Sequence, residues 1–307
     1  MLSYFQKQSV HDQLHKVPGK PTEQVWVSGI DVTSDDMNEV TERFSLDPNI
    51  VRDVLDKNEL SRLEHTENAL YVFVRTPHLS KRGELHTTPM LIVLSSDVFM
   101  TLSRDAFDGP SELSSIAQFD NLPSLLLSTI AAVISAYESC IRHTGKYIQD
   151  TDRRLKTHEV TNADFIRFVT IETGLNSYHT NLSGVLAVIE RLRDNNYAPL
   201  QQTDIEAADD IMLHIKQLLV AVNGHIQAVT SIRNAHSTIA NNTLNQRMKT
   251  LTVLTVLLAI PNVFYGMFGM NVMLPFAEEP WAYFAIVGFT ALLILTVYGV
   301  AKRFRVF

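Results

Sequence analysis

The chain has 307 residues, a formal net charge of −7 and a pI near 5.9, and 46% of its residues are hydrophobic. An acidic balance without a basic face excludes a nucleic-acid partner. Cys140 is the single cysteine, which excludes an intrachain disulfide or a cysteine zinc cluster, and the opening MLSYFQKQSVHDQL lacks the apolar run of a signal peptide.

In chain order, EQVWVSGI (Glu23 to Ile30), LYVFVR (Leu70 to Arg75), MLIVLS (Met90 to Ser95) and VFMTL (Val98 to Leu102) are β-branched and aromatic runs bounded by turn residues, and each is read as a strand. Ser34 to Phe44 and Pro48 to Leu55 are read as helices, the first with Ser34, Asp35 and Asp36 as capping candidates. Residues 1–118 are therefore expected to form a mixed α/β domain.

From Leu122 onward the pattern is helical: about 122–157, then 161–195 opening at Thr161-x-x-Asp164, then from about residue 201 without a convincing break. The third helix is expected to run some 60 residues, about 90 Å at 1.5 Å per residue. Residues 119–249 are the helical stalk of this reading.

Beyond Lys249 the chain changes character. No Asp, Glu, Lys or Arg occurs between Lys249 and Glu278. Thr250 to Phe268 offers about 19 residues, close to the length that spans hydrocarbon, and Trp281 to Ala301 is a second such stretch. Between them lies GMNVMLPFAEEP, a turn with Pro275 and Pro280 as helix stops. Residues 250–307 thus read as a helical hairpin through a bilayer. Arg247 and Lys249 precede the first span, and Lys302, Arg303 and Arg305 follow the second; the turn carries only Glu278 and Glu279. The positive-inside rule then places both ends in the cytoplasm and the turn outside.

The first span carries a stripe. Asn245, Met248, Thr252, Thr255, Ala259, Asn262, Gly266 and Gly269 follow alternating steps of three and four, which puts them on one helix face, and Asn234, Thr238 and Asn241 extend it upstream. Such a stripe suits close helix packing or a water-lined path. One helix cannot enclose a path, so the second reading requires a symmetric homo-oligomer.

Other chemistry is thin. Of 11 histidines, His214, His225 and His236 share a face at a spacing of eleven but lie too far apart along the helix to hold one ion. The acidic pairs Asp35-Asp36 and Asp209-Asp210 read as solvated helix faces. No GxGxxG, P-loop, GxSxG or HExxH occurs, so an enzyme is not expected.

Gly269-Met270-Asn271, between two C-terminal spans and before a short acidic turn, resembles the GMN signature of the CorA magnesium transporters. Val25-Trp26-Val27, Leu46-Asp47-Pro48 through Asp53-Val54-Leu55, and Leu70-Tyr71-Val72-Phe73-Val74-Arg75-Thr76-Pro77 are similar to that family as well. The resemblance implies a funnel-shaped homopentamer in the cell membrane. Its α+β cytoplasmic domain, stalk helix and pore-lining first span would be ringed by the second spans.

It further implies Mg²⁺ as the transported ion, with Gly269, Met270 and Asn271 at the outer mouth, the stripe from Asn245 to Gly266 lining the pore, and Met248 with Leu251 as the gate. Glu278 and Glu279 would draw cations to the mouth. Asp53 and Asp210 match the positions through which the family binds regulatory cytoplasmic Mg²⁺, and Arg52 is a cation where some members have an acid. Ala259 stands where some members are bulky and apolar, so the narrowest apolar ring is expected lower, at Met248 and Leu251. Two other readings are a carrier of zinc, cobalt or nickel, and a non-conducting membrane-anchored helical sensor. The intact GMN weighs against the first and the axis-facing asparagines against the second.

Overall fold

The computed structural model describes residues 2–6, 15–19, 25–80, 83–96, 98–105, 121–156, 162–194, 197, 200–270 and 279–303. The chain divides into two compact units, Met1–Ile232 and Arg233–Phe307.

The first unit is built on a seven-stranded sheet. Its strands are β1 (Leu2–Gln6), β2 (His15–Lys16), β3 (Val25–Ile30), β4 (Arg62–His65), β5 (Ala69–Leu79), β6 (Leu85–Ser95) and β7 (Val98–Ser103), in the order β2-β1-β3-β7-β6-β5-β4. Among the described residues only β3 and β7 run parallel, with Val25 opposite Val98 and Ile30 opposite Ser103. The four expected strands are present, although Glu23 lies outside the described residues. Two of them are much longer than expected, because Pro77 and Pro89 sit inside the β5–β6 ladder, where Pro77 faces Thr87 and Arg75 faces Pro89. Each proline withdraws a backbone donor. The Arg75 guanidinium supplies donors nearby, bonding the Thr87 carbonyl and hydroxyl, each at 2.8 Å.

Helix α1 (Ser34–Phe44) is capped one residue before the expected candidates. Thr33 is the N-cap, and its backbone and hydroxyl exchange hydrogen bonds with Asp36 in a capping box. Burial raises the Asp36 carboxyl, but the bonds from Thr33 outweigh it and hold the group below the ordinary range. The expected helix from Pro48 to Leu55 is two short pieces, α2 (Pro48–Arg52) and a 3-10 turn (Asp53–Leu55). Asp47 caps α2 by accepting from the Asn49 amide at 2.8 Å.

The sheet is covered on both faces. Met37, Val40, Val51 and Val54 from α1, α2 and the 3-10 turn pack with Val27, Tyr71, Phe73, Leu91, Val93 and Met100. Alternation sends Leu70, Val72, Val74, Met90 and Ile92 to the other face, all buried. There α3 (Leu122–Lys156) packs on β5 and β6, and α4 (Asn162–Asp194) packs on β4, β5 and β6. Tyr137 and Tyr178 meet edge to face at 4.8 Å and donate to the carbonyls of Arg75 and His78. Burial pushes both phenols far above their usual range, so they stay donors.

Helix α5 (Gln202–Phe268) is the long helix, 67 residues. Its first part lays Ala208, Ile211, Met212, Ile215, Leu218, Val222, Val229 and Ile232 inward. Of the histidines at spacing eleven, His214 lies 3.3 Å from Glu138 of α3, and the His225 ring sits against Gly145, where a Cβ would fall 2.7 Å from Nε2. Burial lowers the His225 pKa below its ordinary 6.5. A depressed base makes the unfolded chain the better proton acceptor, so this contribution is complete above pH 6.5 and is lost as pH falls toward the folded value. Thermal unfolding is therefore expected to show a smaller loss of stability on acidification in His225→Gln than in the parent; parallel pH profiles would exclude the effect.

In the second unit, the latter part of α5 is accompanied by α6 (Ala282–Arg303). Both helices are long and apolar enough to cross a membrane. Helix α3 also meets that measure, but more than half of its apolar stretch is buried inside the first unit, whereas none of that of α5 is. The apolar surface of α3 is thus already satisfied by the sheet.

Candidate ion path and regulatory site

Between Ala240 and Phe268 only Val253, Leu257, Ile260, Pro261 and Phe264 are partly shielded, and the other residues are exposed. They form one face of α5, which meets α6 at Phe264 and Phe289, edge to face at 5.4 Å. At about 100° per residue, the polar stripe lies roughly opposite that face. Asn245, Met248, Thr252, Thr255, Ala259, Asn262, Gly266 and Gly269 are all exposed, as is Leu251 beside them. A single hairpin thus leaves the whole stripe bare while α6 shields the opposite side.

The stripe is chemically prepared to accept hydrogen bonds. Thr252 and Thr255 donate their hydroxyl protons back to the carbonyls of Met248 and Leu251, each at 2.9 Å. Their oxygen lone pairs remain outward, beside the Asn245 and Asn262 amides, in a form suited to the water hydrogens of a hydrated cation. Pro261 removes one backbone donor and so frees the Leu257 carbonyl, on the shielded side rather than on the stripe.

Helix α5 ends at the motif: the Gly269 amide donates to the Tyr265 carbonyl at 3.0 Å, and Met270 is exposed. Asn271 and Glu278 lie outside the described residues. Glu279 is exposed just before α6, where its carbonyl accepts from Ala282 at 3.0 Å, and a carboxylate is favourable at a helix N-terminus. Arg247 and Lys249, within α5 just before its apolar stretch, and Lys302 and Arg303, in the last turn of α6, are exposed.

In the first unit, Asp53 opens the 3-10 turn and its carboxylate lies 2.7 Å from the Arg62 guanidinium. Arg52 donates to Asn38 at 2.8 Å. Asp210 is exposed on α5 and lines a cleft of about 310 Å³ with Asn121, Ser124, Ser128, Thr203 and Asp204. Asp53 is not in that lining. Among the described residues no group of three or more His, Cys, Asp or Glu side chains is placed to hold a metal ion. The donors do suit Mg²⁺ in kind: carboxylate, amide and hydroxyl oxygens, with Asp53 half-exposed. Arg62 has no signal in the spacing that would have tied it to Asp53; the β4 strand that carries it, like β1 and β2, lacks an apolar run.

A mixed α/β unit followed by one long helix with an apolar C-terminal stretch, and by a second membrane-length apolar helix, is the architecture of a membrane ion transporter. The family model for CorA-like Mg²⁺ transporter proteins matches residues 22–303, and the chain belongs to that family of divalent-cation transporters. The cobalt/magnesium transport protein CorA of Methanocaldococcus jannaschii is 19% identical, with 96% of this chain and 95% of that protein covered. The complete structure of the CorA magnesium transporter from the same organism superposes with a TM-score of 0.87 at 18% identity, over 99% of this chain and 98% of that one. The full-length CmaX protein gives a TM-score of 0.75 at 12% identity, over 97% of each chain.

Proposed function

We propose that this chain is a Mg²⁺ channel of the cell membrane, assembled as a homopentamer around the α5 stripe and closed by cytoplasmic Mg²⁺. The observation that carries the reading is the bare polar stripe opposite the face turned to α6. An isolated hairpin has no use for asparagine and threonine oxygens aimed away from its partner, whereas a ring of copies turns them onto an axis. Residues 1–118 and 119–249 are the cytosolic domain and stalk of this assembly, and the hairpin of 250–307 crosses the membrane with both termini inside.

Gly269, Met270 and Asn271 form the outer mouth. Mg²⁺ dehydrates reluctantly, so neutral amide oxygens from each copy hold the ion through its water shell. Carboxylates in that place would bind more tightly and release more slowly. Glu278 and Glu279 raise the cation concentration at the entrance. Along the path, Asn262, Thr255, Thr252 and Asn245 continue the same acceptor surface past Gly266 and Ala259, and the apolar Met248 and Leu251 close it by excluding water. A membrane potential of 100 mV supplies about 4.6 kcal/mol per divalent ion, so passive entry suffices. Asp53 of one copy and Asp210 of its neighbour hold the regulatory ion, which supplies a divalent bridge between cytosolic units when bound.

A related reading, transport of Co²⁺, is favoured by the name of the M. jannaschii relative and shares the same path. Proteoliposomes holding the purified chain and a Mg²⁺-sensitive dye decide the matter. Uptake is expected to grow with an inside-negative potential and to exceed empty vesicles at least tenfold. Co²⁺ uptake without Mg²⁺ uptake would select the related reading, and no flux of either ion would leave a carrier of zinc or nickel or a membrane-anchored sensor.

A further inference from the structure

We infer that Arg62 is a built-in competitor for the regulatory cation at Asp53, so that the chain's own guanidinium sets the Mg²⁺ concentration at which closure occurs. This rests on the reading of Asp53 as a regulatory ligand.

All three guanidinium nitrogens of Arg62 are committed to carboxylates. Nη2 lies 2.7 Å from Asp53 Oδ2, Nη1 meets Glu59 and Nε meets Glu64. The guanidinium carbon also lies 4.2 Å from the centre of the Phe73 ring, which holds the plane in place. The Asp53 carboxylate remains 47% exposed, so a hydrated ion can reach it from solvent.

An ion approaching Oδ2 meets a donor already on that oxygen and a positive charge within a few ångströms. While the guanidinium stays on Oδ2 its charge opposes the ion at either carboxylate oxygen, and full engagement of Oδ2 by the metal requires the arginine to give it up. Glu59, Glu64 and the Phe73 face remain as its partners, so it is not stranded when it moves. The exchange is therefore reversible: metal on and arginine off, or arginine on and metal off. Arg52 does not hold that position: its guanidinium donates to Asn38 at 2.8 Å.

The test is protection of the purified full-length protein from chymotrypsin over a Mg²⁺ titration, a readout independent of flux. Arg62→Gln is expected to lower the half-protecting Mg²⁺ concentration about tenfold, the effect of one charge-assisted hydrogen bond of about 1.4 kcal/mol. Arg62→Lys, which keeps the charge and the packed stem but loses the three-way fork, is expected to shift it in the same direction by less. Arg52→Gln removes an equal charge whose hydrogen bond is to Asn38 rather than to Asp53, and is expected to shift it about twofold or less. Equal shifts for Arg62→Gln and Arg52→Gln, or none for Arg62→Gln, would overturn the competition. Asp53→Asn separates the two layers: if it leaves Mg²⁺ protection intact, the regulatory site itself is wrong; if it removes protection while Arg62→Gln has no effect, only the competitor is.

Discussion

Asn271→Ala is expected to reduce Mg²⁺ uptake by about a hundredfold or more while the oligomer stays assembled. The size follows from symmetry. In a pentamer one substitution deletes five amides at once, and each water-mediated bond to a hydrated ion is worth about 0.5–1 kcal/mol. The five together remove about 2.5–5 kcal/mol from ion binding at the mouth, which is about two to three and a half decades. Assembly is expected to be spared because α5, the helix that meets α6, ends at Phe268, before the motif asparagine in the chain. Flux assays on reconstituted protein, paired with light scattering for the oligomer, measure both. Uptake within threefold of the parent would remove Asn271 from the ion path.

Arg75→Ala is expected to cost the first unit about 3–4 kcal/mol, a fall in its melting temperature of about 10 °C. Arg75 is 9% exposed, yet its partners are neutral: the carbonyls of Lys57, Glu59 and Thr87 and the Thr87 hydroxyl. Burial pulls the guanidinium below its ordinary range, with Tyr137 and Asp56 opposing the shift. Alanine leaves the carbonyls without donors and releases the segment from Lys57 to Glu59 that the arginine ties to the sheet. Arg75→Lys keeps a charge but not the planar fork, and is expected to recover less than half of the loss. Calorimetry of the full chain checks it; a shift under 3 °C would show that the network is incidental. Because Glu59 is both a backbone partner of Arg75 and a carboxylate partner of Arg62, the same substitution is expected to disturb the Mg²⁺ response.

Much of this molecule was legible before any coordinates. The strand runs at Val25 to Ile30 and Val98 to Leu102, the long helix from Gln202 and both apolar spans lie within a few residues of where patterning placed them. These features depend on periodicity within a single element, and a helix or strand states its buried face in its own spacing. What escaped was short or polar: β1, β2 and β4, the prolines carried inside the β5–β6 ladder, and the Thr33 cap. Propensity is weak there, and the decision belongs to neighbours in the sheet.

The candidate site divides along the same line. A three-four spacing of small and polar residues between Asn245 and Gly269 is a property of one helix, and so are the charges that flank the spans; the sequence alone determined them. Which side of that helix is covered was decided by tertiary structure, when the contact of Phe264 with Phe289 turned Val253, Leu257 and Ile260 toward α6 and left the stripe opposite. The state of Asp53 was likewise decided by fold. Its carboxylate meets an arginine because β4 pairs with β5, with Arg62 opposite Phe73, so that register brings a strand residue back onto the 3-10 turn. Periodicity carries no information about such a pairing, since it depends on where two separate elements lie once the core between them has closed.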